Sequence, residues 1–492
     1  MSEVSDQPGL PEPPEARIGV DEWVAEAEGR RERSRGPLMY VARGVEKLPP
    51  GVRLLIFLAA ASSLPFWMNE GDLFSYGLFT LLYAVLALGL NVVVGFAGLL
   101  DLGYVAFYGI GAYTYALLSS DHYGIHWPAL ATIPIAMAAA ALIGLALGFS
   151  ARRLLGDYLA IVTLFFLQAF VAFTNTANPT VAGKGLTGGP NGIAPLDPLK
   201  FFGYELDSTK QQYFFLLIVF ALAAIALFFA NESRTGRAWR ALREDPLAAE
   251  SMSIPVNRLK ILAFMMGAAI AGLCGAIFAA IEQATVSGNF TISVLITIYA
   301  IVILGGLGSI AGVVLGAIVI NVTFQFLAPQ NDHPEIKRWL FYGAILLFVA
   351  LMRPWYRAAL VFFGTIAFGF AAHAIVSAAA PASWTAGHAV DAGSPDRAKA
   401  IADWVIIPVG HSSFNSYVYV GLVFAIVGLR ALKGWWRTLA LIPTLYLTAV
   451  VWENVLAPNP AVTALILFGA MLVALMTVRP QGLLGTARVE IV

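Results

Sequence analysis

A succession of apolar stretches, each close in length to the thickness of a bilayer core and separated by short polar breaks, constrains this chain most. A helix needs about 20 apolar residues to cross roughly 30 Å of hydrocarbon. Stretches of that kind fall near 52–68, 74–95, 99–119, 127–149, 157–174, 213–230, 261–281, 291–305, 308–327, 339–352, 356–379, 415–431, 438–456 and 460–478. In hydrocarbon every backbone amide needs an internal partner, so such segments fold as helices. The expectation is an all-α protein, a polytopic transmembrane helix bundle of about 12–14 spans. Only 12% of the residues are charged, against about 25% in soluble domains. That excludes an ordinary soluble enzyme, a disordered chain and a nucleic-acid binder, which needs a basic face. The single cysteine, Cys274, excludes a disulfide framework and a cysteine-based metal centre.

Lys and Arg in the loops orient the bundle. With the N-terminus inside, 23 of the 30 Lys and Arg fall on the inner face. The acids divide 17 inside and 13 outside, so a net charge of zero becomes +6 on the inner face and −6 on the outer. Both termini are then expected to be cytoplasmic. Residues 1–50, with Pro8–Pro14 and the basic run Arg30, Arg31, Arg33 and Arg35, read as a cytoplasmic N-terminal tail.

Glycine inside the spans carries the next signal. Gly308, Gly312 and Gly316 recur every four residues, which places them on one helix face for close helix packing. Gly95, Gly98, Gly103, Gly109 and Gly111 form a denser, irregular series. Two readings stand for it: tight packing, or a broken helix whose unwound backbone lines a solute path. Asn91, Gln168, Asn321 and Gln325 are neutral polar groups within spans, suited to interhelical hydrogen bonds or to solute contact. Asn91, Gly95, Gly98 and Gln168 are the candidates for the solute path. The acids Asp101, Asp157, Glu282 and Glu453 all fall near span ends, so no deep charge relay of the ion-coupled kind is expected.

The longest inner polar stretch between spans is 231–260, NESRTGRAWRALREDPLAAESMSIPVNRLK. Arg237, Arg240 and Arg243 stand at helical spacing, and Pro246 suits the first turn of a new helix. A short helix at the membrane surface would offer Leu247, Met252 and Ile254 to a partner groove. No Gly-x-x-x-x-Gly-Lys-Ser/Thr motif is present. This chain is therefore expected to hydrolyse no ATP by itself and to bind no cofactor. His122 and His126 flank Gly124 in a short loop without the further ligands of a metal site.

Several of these stretches resemble one family. Gly89–Gly111, GLNVVVGFAGLLDLGYVAFYGIG, is similar to a helix signature of bacterial branched-chain amino-acid ABC transporter permeases of the LivM type. Asp157–Thr163 (DYLAIVT), Leu186–Ile193 (LTGGPNGI), the 231–260 loop, Leu262–Ala280 and Ile303–Gly316 (ILGGLGSIAGVVLG) match that family in order. The resemblance implies a multi-pass subunit of the bacterial plasma membrane that forms the pathway for a small polar solute. It implies a second permease of the same superfamily, two cytoplasmic ATP-binding subunits and an extracytoplasmic solute-binding protein as partners. It also implies that Arg237–Ile254 couples to the ATPases, with Ala248, Ala249 and Glu250 in the contact turn. Thr187, Gly188, Gly189, Asn191 and Gly192 would shape an outer loop near the pore mouth. Where the family has Gly before that Ile, this chain has Ser253.

The family closes with Arg-Pro-x-Gly-Leu-x-Gly. That motif stands here at Arg479–Gly485, and an earlier Arg353-Pro354 precedes it by 126 residues. We therefore divide the chain into the tail, a permease core over 51–355, and a C-terminal extension over 356–492 with about four more spans. The final helix of the core reads as duplicated in that extension. A urea or short-amide importer is the alternative in the same class, and an ion-coupled secondary transporter the alternative from another.

Overall fold

The computed structural model describes residues 50–152, 156–176, 179–181, 183–201, 203–327, 334–350, 354–389, 394–410 and 412–458, with 469 and 482–483. The tail, the span expected at 460–478, Arg353 and most of 479–485 lie outside the described residues. By its contacts the chain divides into Met1–Leu64 and Pro65–Val492. The described part of the first unit belongs to one apolar helix, α1 (Pro50–Trp67).

The second unit is a helix bundle. Among the described residues nine helices are long and apolar enough to cross a membrane. α2 (Glu70–Phe96) is the most enclosed, with 83% of its apolar window buried. Its i→i+4 ladder widens to π turns at Leu73–Leu78 and Asn91–Phe96, a device that re-aims backbone groups. The stretch expected as a span over 99–119 instead holds the last five residues of a link (99–103) and a 15-residue helix, α3 (Tyr104–Leu118). Fifteen residues rise about 22 Å, less than the hydrocarbon thickness. Hydropathy overestimated this span because α3 is buried nearly all round.

α4 (Ala129–Ala151), α5 (Gly156–Asn175) and α6 (Thr209–Glu232) follow. α6 opens with a capping box in which Ser208 and Gln211 exchange side-chain and backbone bonds. Two short surface helices, α7 (Arg234–Glu244) and α8 (Pro246–Ser251), lead into the 27-residue α9 (Val256–Glu282). α9 packs along α3 and α4 through small residues. A Cβ on Gly272 would meet the Ala140 methyl at 2.5 Å, and one on Gly111 would stand 2.2 Å from the Gly272 carbonyl oxygen. Backbones approach this closely only where side chains vanish.

α10 (Ile292–Gly305) and α11 (Ile310–Leu327) form a helical hairpin. Gly312 and Gly316 sit at its seam, where added Cβ atoms would lie 2.3 Å from the carbonyl oxygens of Gly305 and Ile301. Gly308 does not share that face. Its φ of +83° places it in the turn before α11 begins, so the four-residue spacing crosses a break and the expected single stripe is corrected to two residues.

α12 (Pro334–Ala350) is followed by α13 (Trp355–Ala379), α14 (Pro395–Ala402), α15 (Ser412–Ala431) and α16 (Gly434–Val451), the last continuing as a π turn to Leu456. The windows of α13 and α15 are only 11% buried, which puts both on the periphery. The connection 380–410 packs on itself: Gly387 and Val409 donate to Ile407 and Ser383. Trp404, Tyr446 and Val450 close a small apolar cluster there, and Tyr342 of α12 packs against it.

Candidate functional site

The polar 231–260 segment folds as two short helices held from beneath. Ser233 ends α6 and caps α7, its hydroxyl accepting from the Gly236 amide at 3.2 Å. α7 is charged except on one face, where Trp239 and Leu242 are buried. The Trp239 indole donates to the Leu259 carbonyl at 3.0 Å, fixing α7 to the start of α9. Asp245 then caps α8, accepting from the Leu247 and Ala248 amides at 2.8 and 3.1 Å.

The three arginines at helical spacing have different tasks. Arg237 and Arg240 reach back to the carbonyls of Glu232 and Asn231 at 3.0 and 3.4 Å. There they meet the negative end of α6. Arg243, half-buried, turns the other way and donates to the Gly95 carbonyl at 2.5 Å. Leu247 on α8 and Met252 just after it are 79% and 77% exposed, a paired apolar projection on an otherwise polar segment. Ala248 and Glu250 are exposed beside them, whereas Ala249 is buried and Ile254 half-buried. The contact turn expected at 248–250 therefore presents Ala248 and Glu250, while Ala249 packs inward. Ser253 adopts φ +62°, a left-handed conformation that glycine takes at no steric cost.

Arg243 points at two interruptions of helix. The first is the end of α2, where Gly98 at φ +70° turns the chain out of its π turn. The link to α3 is held from both sides. The Tyr299 hydroxyl donates to the Asp101 carbonyl at 2.6 Å, and Thr163 accepts from the Leu102 amide at 2.9 Å. Asp101 itself is 1% exposed and its carboxylate takes the Gly103 amide at 2.9 Å. The second interruption is Gly306–Gly308, between α10 and α11, with φ of +115° and +83° at the two glycines. Asn91 joins the two, its Oδ1 accepting from the Gly308 amide at 2.8 Å. An added Cβ at Gly95 would collide with that carboxamide, and one at Gly308 would lie 2.8 Å from an Arg243 nitrogen. Gly482 and Leu483 close the same break: the Leu483 amide donates to the Leu304 carbonyl at 2.8 Å.

Of the residues proposed for a solute path, Asn91, Gly95 and Gly98 thus come together at one junction. Asn91 is wholly buried and serves as the tie between the breaks. Gln168 stands apart on the exposed face of α5. Glu453, read from sequence as lying near a span end, is a buried charge. Its carboxylate takes Arg338 Nε and Nη2 at 3.1 and 2.6 Å and the Tyr342 hydroxyl at 3.0 Å. Beside it Trp452 stacks on Phe341 at 4.0 Å. Sequence reading separates these partners because they stand 115 positions apart.

At the other end of α9 the 186–193 loop is pinned. The Thr187 hydroxyl donates to the Thr174 carbonyl at 2.9 Å. Gly188, Gly189 and Gly192 all have positive φ around a 3₁₀ turn that includes Asn191. Ile193 and Thr285 then exchange backbone bonds at 2.9 and 3.0 Å, clamping the loop to the end of α9. Nearby, the short strands Ser119–Ser120 and Ile125–His126 form a hairpin. His126 stands between two carboxylates there, Nδ1 at 2.8 Å from Asp197 and Nε2 at 3.2 Å from Asp121. The hydrogen bond and charge of Asp197, then those of Asp121, raise its pKa above the ordinary histidine value.

Comparison with known proteins gives a consistent picture. The family described as "Branched-chain amino acid transport system / permease component" matches residues 73–350. The chain is 37% identical over 327 residues to the high-affinity branched-chain amino acid transport system permease protein LivM of Escherichia coli (strain K12). That alignment covers 61% of this chain and 73% of the relative. The LivM protein of Salmonella typhimurium is 36% identical over the same coverage. The permease protein LivH of Escherichia coli (strain K12) is 26% identical over 287 residues, covering 55% of this chain and 89% of that protein. No solved structure matches.

Proposed function

The chain belongs to the permease-component family of branched-chain amino acid transport systems, and on that premise we propose how it works as a membrane subunit of an ATP-driven importer of branched-chain amino acids. It is a multi-pass protein of the bacterial inner membrane. It pairs with a second permease of the same superfamily, which the LivH relatives exemplify. Two cytoplasmic ATP-binding subunits supply the energy, and an extracytoplasmic solute-binding protein delivers the solute.

One observation carries this reading: the α7–α8 pair is rigidly seated yet ends in an exposed apolar turn. Trp239 and Asp245 fix its geometry from below. Leu247 and Met252 then project from it, a shape suited to a groove on an ATP-binding subunit. By the same proposal the 231–260 segment faces the cytoplasm and the 186–193 loop faces the binding protein. When the ATPases close on ATP, α8 is carried with them, and the pathway between the two permeases exchanges access from one side to the other.

The test is uptake by vesicles holding the full complex with its neighbouring encoded partners. Leucine, isoleucine and valine uptake that requires ATP and survives an uncoupler is the expected result. Uptake of urea or short amides alone would reassign the solute. Uptake that ignores ATP and collapses with the uncoupler would remove the chain from ATP-driven import.

A further inference from the structure

The α2 break and the α10–α11 break belong to different helix pairs, yet one cytoplasmic side chain lies against both. In the last turn of α2 the Gly95 carbonyl has passed beyond the helix's own amide donors. The Arg243 guanidinium supplies that donor at 2.5 Å. Gly98 leaves room for the Arg243 backbone, because a Cβ there would stand 3.1 Å from its Cα. An Arg243 nitrogen also lies 2.8 Å from where a Cβ on Gly308 would stand. The Asn91–Gly308 bond then links the two breaks to each other.

We infer that Arg243 is a positioning residue that carries the motion of the α7–α8 pair into both helix breaks together. This rests on the importer reading above. Three features argue for transmission through this side chain. Trp239 and Leu242 lock α7 as a rigid body, so Arg243 moves when α7 moves. The planar guanidinium meets its carbonyl in a fixed direction, which a flexible ammonium does not reproduce. Arg237 and Arg240, about two turns and one turn earlier, end on α6 and reach neither break.

The experiment uses the reconstituted complex with Arg243→Ala and Arg243→Lys. Parent and variants are compared for amino-acid uptake per ATP hydrolysed. Spin labels at Leu100 and Met252, each measured against one at Tyr204, report the break and α8 separately. All three sites are exposed, and the native Cys274 is buried. Trapping with ATP should change both distances in the parent. In Arg243→Ala the Met252 distance should still change while the Leu100 distance stays fixed, and uptake per ATP should fall about tenfold or more. Arg243→Lys should fall between the two. An unchanged uptake ratio in Arg243→Ala, or a Leu100 distance that still responds, overturns the inference. If Arg243→Ala does not assemble, an Arg243→Lys complex equal to the parent in both readouts overturns it. Absence of ATP-driven uptake in the parent would instead sink the importer reading.

Discussion

Removing the charge of Glu453 should loosen the end of α16 from α12. Its carboxylate is wholly buried, and the Arg338 side chain is 10% exposed. Three donors converge on its two oxygens, two from Arg338 and one from Tyr342. Glu453→Gln keeps the shape and one acceptor but leaves a guanidinium buried without a counter-charge. Breaking a buried pair from one side costs about 3–5 kcal/mol. The surviving amide oxygen places the expected loss near the lower end, about 3 kcal/mol. The double variant Arg338→Met, Glu453→Leu removes both charges, and apolar replacement of a buried pair ranges from neutral to about 4 kcal/mol stabilising. Against that, the Tyr342 hydroxyl loses its acceptor, at about 1–3 kcal/mol. The double variant should therefore recover most of the loss, despite changing more atoms. Equilibrium unfolding in mixed micelles reads both. A loss below about 1 kcal/mol for Glu453→Gln, or a double variant as unstable as the single, would refute the assignment of this pair as the bond between α12 and the end of α16.

Three further outcomes follow from positions described above. Ser253→Gly relieves a left-handed serine and should stabilise the chain by about 1 kcal/mol in the same unfolding assay. Gly312→Ala inserts a methyl 2.3 Å from the Gly305 carbonyl oxygen. Prying apart α10 and α11 should cost about 1–3 kcal/mol, read as a lowered unfolding midpoint. His126 has a raised pKa, so the native state holds the imidazolium more tightly than the unfolded chain. The clasp it adds is full below about pH 6.5 and is lost as pH rises through the raised native value. After division by the intrinsic base-catalysed rate, exchange protection across 119–126 should fall over that window in the parent, and His126→Asn should abolish that fall.

The spans were legible because lipid demands long apolar helices, and the ends of α6, α9, α13 and α15 fall within a few residues of the hydropathy boundaries. What hydropathy misses is the path of the backbone inside an apolar stretch. α3 is as apolar as a span but too short, and Gly308 keeps the spacing of a helix face while standing outside one. The glycine series over 95–111 left both readings open, and it divides between them: Gly95 and Gly98 stand at the break, while Gly109 and Gly111 pack closely within α3. Arginine spacing placed α7 yet could not separate Arg243 from Arg237 and Arg240, because only the tertiary position of α2 tells them apart. The Ser253 departure was visible as a residue type, and the structure gives its reason in a positive φ.

The union of Arg338 with Glu453 also sets a schedule for making the protein. Their codons lie 115 positions apart. At about 5–20 residues per second, α12 leaves the ribosome roughly 6–23 s before its counter-ion exists. For that interval the insertion machinery holds a helix whose guanidinium has yet to meet the Glu453 carboxylate. α12, the last helix inside the family match that ends at residue 350, thus completes its packing only with a segment made after it.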